Sequence, residues 1–168
     1  MADFDIESEQ AGRCLEGLKA VDEELAYLAA LTAHGLKPLS RWEKHLDDDA
    51  LELIEQLGLS TERIRRTVKT GKEVIETVFS PAQGHIDLYK RRFDNTPIDK
   101  SAATQRFEGF LFGYPPCCIE QYVRRAYAPN NLAEEDQKIL FHWACKDCAI
   151  TPTLLPGYKA IRNMLDGE

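Results

Sequence analysis

No apolar run in this chain approaches the roughly 18 residues that a membrane-spanning helix requires. The first ten residues, MADFDIESEQ, are acidic and offer neither the basic start nor the apolar stretch of a secretory signal. Together these absences predict a cytoplasmic protein with no membrane partner. Positive charge is also short. Lys and Arg number 21 against 28 Asp and Glu, for a net charge of −7 and a pI near 5.2. That balance opposes bulk affinity for nucleic acid, because neutralising phosphates takes clustered cations. Three local basic groups are left: Arg63/Arg65/Arg66, Lys90/Arg91/Arg92 and Arg124/Arg125. For each, a solvated helix face is the plain reading and a phosphate or RNA contact the alternative.

The chain also lacks internal repeats, low-complexity stretches, a glycine loop that could cradle phosphate, a nucleophile elbow and a recognisable pair of carboxylates. Cysteine is scarce and odd in number, at five, which excludes a fully paired disulfide framework. In a reducing compartment such thiols serve metal binding or catalysis.

What is present is ordinary globular material. Hydrophobic residues make up 43% and charged residues 29%, enough for one core. The patterning predicts a mainly α, single-domain, bundle-like fold over 1–168, helical over 1–80 and again over 100–168, with room for one short β-hairpin in the middle. Leu18, Val21, Leu25, Leu28 and Thr32 recur at three- and four-residue steps, predicting one helix from Glu9 to Ala33. Ser40 with Glu43 reads as a capping box that opens a second helix through Trp42, Leu46, Leu53, Ile54 and Leu57. The stretch STERIRRTVKTG reads as a third, with Ile64 and Val68 inward. From Lys72 to Phe93 the pattern is divided between helix and a hairpin around SPAQG, with Ile86 and Leu88 favouring strand. Asp94 to Pro97 is a turn. A helix with Phe107, Phe110 and Leu111 inward follows, ending at Gly113, and the next starts on Pro115 and Pro116, where a missing N–H is harmless. Asn131 with Glu134 reads as a cap for a helix through Trp143, and a last short helix covers Pro156 to Leu165.

Chemistry concentrates near the C-terminus. His142, Cys145 and Cys148 form an H-x-x-C-x-x-C pattern, and two thiols at that spacing close readily on one cation. Cys117 and Cys118 are adjacent. On a helix their Cβ directions diverge by about 100°, so one ion would more readily take one of them. The expected shell is therefore His142, Cys145, Cys148 and one of Cys117 or Cys118, leaning towards Cys118, a Cys₃His set suited to zinc. An iron–sulfur cluster would need both adjacent thiols. Cys14 belongs to the core. Cys118-x-Glu120 followed by Cys145-x-x-Cys148 echoes zinc nucleobase deaminases, in which a glutamate shuttles protons. Ala144 stands where those enzymes have proline, and no alternating strands precede the site.

The pairing of FGYPPCC with the later HWACKDC also resembles an uncharacterised family catalogued as domain of unknown function 483. The resemblance covers Phe107 to Pro152 and is specific in Gly113–Cys118. It implies a shared cysteine-centred site and supplies no activity.

These readings lead to a small cytoplasmic protein whose Cys/His site holds a structural zinc in a binding or adaptor module. Its helical N-terminal half would face a protein or small-molecule partner. The alternatives are a metal-dependent enzyme, deaminase- or hydrolase-like, with Glu120 as acid and base, and an iron–sulfur or thiol redox protein.

Overall fold

The computed structural model describes residues 8–167, which divide into two compact units on either side of the Ile98–Asp99 bond. The acidic start read for targeting lies largely outside them, at residues 1–7. No helix among the described residues is long and apolar enough to cross a membrane. Helices dominate, but the chain also builds a four-stranded mixed sheet, which is more than the single hairpin expected.

The first unit opens with α1 (Glu9–Val21) and α2 (Glu23–Ala33), not one continuous helix. Asp22 makes the break. Its backbone is extended, and its carboxylate caps α2 by accepting from the Glu24 N–H and from Lys44 Nζ at 2.7 Å. The interruption leaves Val21 at the surface, 52% exposed, while Leu18, Leu25, Leu28 and Thr32 are buried as expected. From Leu25 to Thr32 every residue of α2 is buried, so this helix is enclosed on all sides.

Ser40 does not cap a helix. It begins β1 (Ser40–Trp42), and its hydroxyl pairs with Thr32 of α2 at 2.7 Å. The helix α3 (Asp48–Gln56) starts later, capped by Asp47 through the Ala50 N–H. The stretch read as a third helix is β2 (Ser60–Thr67), which forms a hairpin with β3 (Glu73–Ser80) in a register running from Ser60 opposite Ser80 to Thr67 opposite Glu73. Beyond it come α4 (Gln83–Phe93), where Ile86 and Leu88 had favoured strand, and β4 (Thr96–Pro97), which pairs in parallel with β2. Strand order is β1-β3-β2-β4. The turn at Asp94–Pro97 forms with Asn95 in the left-handed region.

Alternation assigns the two faces of β3. Phe79 and Thr77 pair with Ser40 and Trp42 on the face that meets α2, whereas Glu76 and Val78 share the other face with Ile64 and Arg66. That second face carries a buried polar network. Arg66, 1% exposed, donates to Glu76 at 3.2 Å and to the carbonyls of Thr96 and Pro97, and its guanidinium lies 4.6 Å from the Phe93 ring centroid. Tyr89 of α4 donates to the same Glu76 oxygen at 2.6 Å and accepts from Arg41. Each charge in the low-dielectric layer thus meets its complement.

The second unit contains α5 (Ala102–Leu111), α6 (Pro116–Arg124), the single-turn α7 (Glu134–Lys138) and α8 (Thr151–Asp166), and no strand among its described residues. Ser101 caps α5, and Gly113 turns the chain at φ 73°. Leu111 is buried, Phe107 half-buried and Phe110 exposed. Asn131 caps nothing. Ala133 occupies the N-cap of α7, which stops well before Trp143. The last helix begins at Thr151, before Pro156, and buries Tyr158, Ile161 and Leu165.

Candidate metal centre

Two short pieces of backbone build the site. Pro115 is extended, at φ −57° and ψ 132°, and Pro116 takes the first position of α6, so Cys117 and Cys118 fall in its first turn. Cys118 is buried and Cys117 exposed. The second piece is a turn. His142 to Cys148 is not helical, and Asp147 sits at φ 56° between Lys146 and Cys148. This folds Cys145 and Cys148 back onto each other.

Side-chain amides brace that turn where helix or sheet bonds are missing. Asn130 Nδ2 donates to the Ala144 carbonyl at 2.9 Å, Gln137 Nε2 donates to the His142 carbonyl at 2.8 Å, and Gln137 Oε1 accepts from the Ala144 N–H. Asn131 donates to the Asp147 carboxylate, and Trp143 Nε1 donates to the Ala128 carbonyl at 2.7 Å.

The result is a gathering of four thiols. The sulfurs of Cys117, Cys118, Cys145 and Cys148 all lie within 4.8 Å of one another, so the group can hold a metal ion. Cys148 Sγ is 3.6 Å from Cys117 and 3.5 Å from Cys118. One of the adjacent cysteines alone was expected at the centre, whereas the structure brings both sulfurs close to Cys148. Successive positions on a first turn do point apart, yet Cys148 sits between their directions and meets both.

His142 takes a different place. It is not among the converging groups. Its Nε2 lies 2.9 Å from Thr151 Oγ1, and its ring packs 5.4 Å from Tyr114. Thr151 in turn touches Cys118 Sγ at 3.6 Å, so the histidine reaches the sulfurs through one hydroxyl. Cys14 is buried in the other unit, with its thiol on Gln56.

Burial and hydrogen bonds make Cys118, Cys145 and Cys148 unequal. Burial raises the Cys148 pKa, but the Thr151 hydroxyl and the N–H groups of Thr151 and Ile150 outweigh it and bring it down to about 6. Burial dominates at Cys118, raising it to about 11 against the Cys145 N–H that donates to its sulfur at 3.3 Å. Burial and the neighbouring thiols push Cys145 up as well. N–H groups aimed at sulfur are the outer support that thiolate ligands need.

Glu120, the candidate acid and base, forms an ion pair with Arg106. Both its oxygens take Arg106, at 2.6 and 3.0 Å, and that pairing, set against some burial, holds its carboxyl below the usual range. Thr151, Asn130 and Gln137 were missed from the sequence. Threonine directly before Pro152, at a helix start, was the one signal that could have been read.

No family model matches the chain, and neither a curated protein nor a solved structure matches it.

Proposed function

We propose that Cys117, Cys118, Cys145 and Cys148 hold a single zinc ion in a closed structural shell, within a cytoplasmic binding or adaptor module. The observation that carries this is the spacing of the sulfurs. Zn–S bonds near 2.3 Å put tetrahedral thiolates about 3.8 Å apart, and these four lie within 4.8 Å of one another. A polynuclear iron–sulfur cluster spreads its thiolates over several irons and sulfides, so the close spacing of these sulfurs supports a single ion over the cluster alternative. Four protein thiolates leave no open position for water or substrate, and Glu120 is bound to Arg106. Both points favour structure over catalysis. Kinship with domain of unknown function 483, on the Gly113–Cys118 stretch, is part of the same proposal and adds no activity to it.

Metal analysis of protein purified without chelators tests the reading. About one zinc per chain is expected, in a colourless protein. Cys117→Ser, Cys118→Ser, Cys145→Ser and Cys148→Ser should each lose most of it, and Cys14→Ser should keep it. Iron with visible absorbance would replace zinc by iron. Metal-free protein whose thiols all titrate freely would end the proposal.

A further inference from the structure

Beside the thiols lies an aromatic ladder. Tyr122 of α6 meets Tyr127 edge-on at 5.3 Å, and Tyr127 meets Trp143 edge-on at 5.5 Å, with interplanar angles of 80° and 79°. Tyr127 is 66% exposed. It also sits at φ 56°, in the left-handed region, where a bulky side chain crowds its own backbone. A strained residue that presents an aromatic ring to solvent points to use of that ring. The ladder is well fixed, since the Trp143 indole is anchored on the Ala128 carbonyl and the Tyr127 ring is held between its two neighbours.

Arg124 and Arg125 stand between the two tyrosines in sequence. Both are exposed, and neither forms a salt bridge with a described residue, the nearby Glu120 being taken by Arg106. The other two basic groups differ. Arg63 and Arg65 pair with Asp48 and Glu73, and Arg66 is buried on Glu76. Lys90 pairs with Glu62, and the aromatics of its helix, Tyr89 and Phe93, are buried. Arg124 still acts on the Glu120 carboxylate at a distance, but only here among the described residues do exposed arginines outside any salt bridge stand within three positions of an exposed aromatic ring.

We propose that Tyr127, backed by Tyr122 and Trp143 and closely preceded in the chain by Arg124 and Arg125, is a binding surface for single-stranded nucleic acid. An exposed aromatic face takes an unpaired base by stacking, which requires no particular sequence. Guanidinium groups take the phosphates of the same strand, bidentately where geometry allows. An anionic ligand with flat aromatic units satisfies both halves of the surface. A proline-rich peptide would use the rings and leave the arginines idle. The proposal goes beyond the zinc reading and shares with it helix α6 and the loop that carries Trp143.

Fluorescence anisotropy on the full chain, with labelled oligo(U) and oligo(dT) of about a dozen nucleotides at about 50 mM salt, tests it. Metal is measured on the same samples. Binding of at least one oligonucleotide is expected, weakened about tenfold or more by Tyr127→Asn, which removes the ring but tolerates positive φ. Arg124→Ala with Arg125→Ala should weaken binding and flatten its log–log salt dependence by about 1.4, or roughly 0.7 for each phosphate contact on a single strand. Both variants should retain metal. Binding by protein that purifies without metal would support this surface, while the metal analysis alone would end the zinc reading. Failure of the metal-loaded protein to bind either oligonucleotide would overturn the surface. So would indifference to Tyr127→Asn, equal affinity for duplex, or preference for a proline-rich peptide.

Discussion

The two units of this chain reach order by different means. Residues up to Ile98 hold most of the fully buried hydrophobic side chains, including all of α2 from Leu25 to Leu31. They add a sheet with complete hairpin register and a buried network in which Arg66, Glu76, Tyr89 and Arg41 complete one another. From Asp99 onward there is no described strand, and helices give way to irregular backbone around both sides of α7. Four thiols converge there, and amide side chains hold the loop in place. Fewer than about 70–80 residues rarely stabilise themselves by apolar burial alone, and metals are a common supplement. Under the proposed zinc reading, the cysteines would do for the second unit what the first unit's core does for itself.

Removing the metal is the largest test of that contrast. Structural zinc contributes on the order of 10 kcal/mol in small metal-dependent folds. Chelation should therefore strip amide hydrogen-exchange protection from α6 and the Cys145–Cys148 turn, while the β2–β3 hairpin keeps its own. Equal loss in the hairpin would erase the distinction.

The reverse experiment is Glu76→Ala. It leaves Arg66 buried without its carboxylate and deprives the Tyr89 hydroxyl of its acceptor. Breaking one side of a buried pair costs about 3–5 kcal/mol. Thermal or denaturant unfolding should register that loss with metal content unchanged. Glu76→Gln keeps an oxygen for both donors and should cost less.

Arg66 also shows why so much of this unit was hidden in the sequence. In β2 the inward positions are Ile64 and Arg66, so counting arginine as polar hides the strand alternation, and Ile64 with Val68 then fits helical spacing. Ser40 and Glu43 satisfy a capping pattern, but pairing with Phe79 across the sheet prevails over local preference. The helices α5, α6 and α8 were legible because proline, serine and glycine punctuate them and local rules suffice. The site was legible to the extent that its chemistry is local, as in Cys145-x-x-Cys148 and the first-turn cysteines. Its closure was not, because the left-handed Asp147 and the bracing by Asn130 and Gln137 are long-range or tolerated exceptions that composition does not mark.

A smaller effect distinguishes the units by pH. Burial brings the Lys37 amine down from 10.5 to about 7. Between those values the unfolded chain binds a proton that the native chain does not, so stability rises with pH across that window and is flat below it. The gain from pH 7 to 9 is about 2 kcal/mol from this group. Lys37→Met should remove that slope from urea unfolding of the first unit. An unchanged slope would mean that the native amine stays charged.

The finest test concerns how α6 is seated. A Cβ on Gly109 of α5 would lie 2.7 Å from both Cγ1 and Cδ1 of Ile119, closer than packed atoms come. Ile119 directly follows Cys118, so a shift of that side chain loads the backbone beside the thiol cluster. Gly109→Ala gains about 1 kcal/mol in helix propensity and loses about 1–3 kcal/mol to overpacking, for a net cost of about 1 kcal/mol. Ile119→Val alone costs about 0.5–1.5 kcal/mol by leaving a gap where Cδ1 was. In the double variant the new methyl moves into that space, so the combined cost should fall below the sum by about 0.5 kcal/mol or more. Strict additivity in a denaturant double-mutant cycle would mean that α5 and α6 relax apart without strain, and that the position of the cysteines does not depend on this contact.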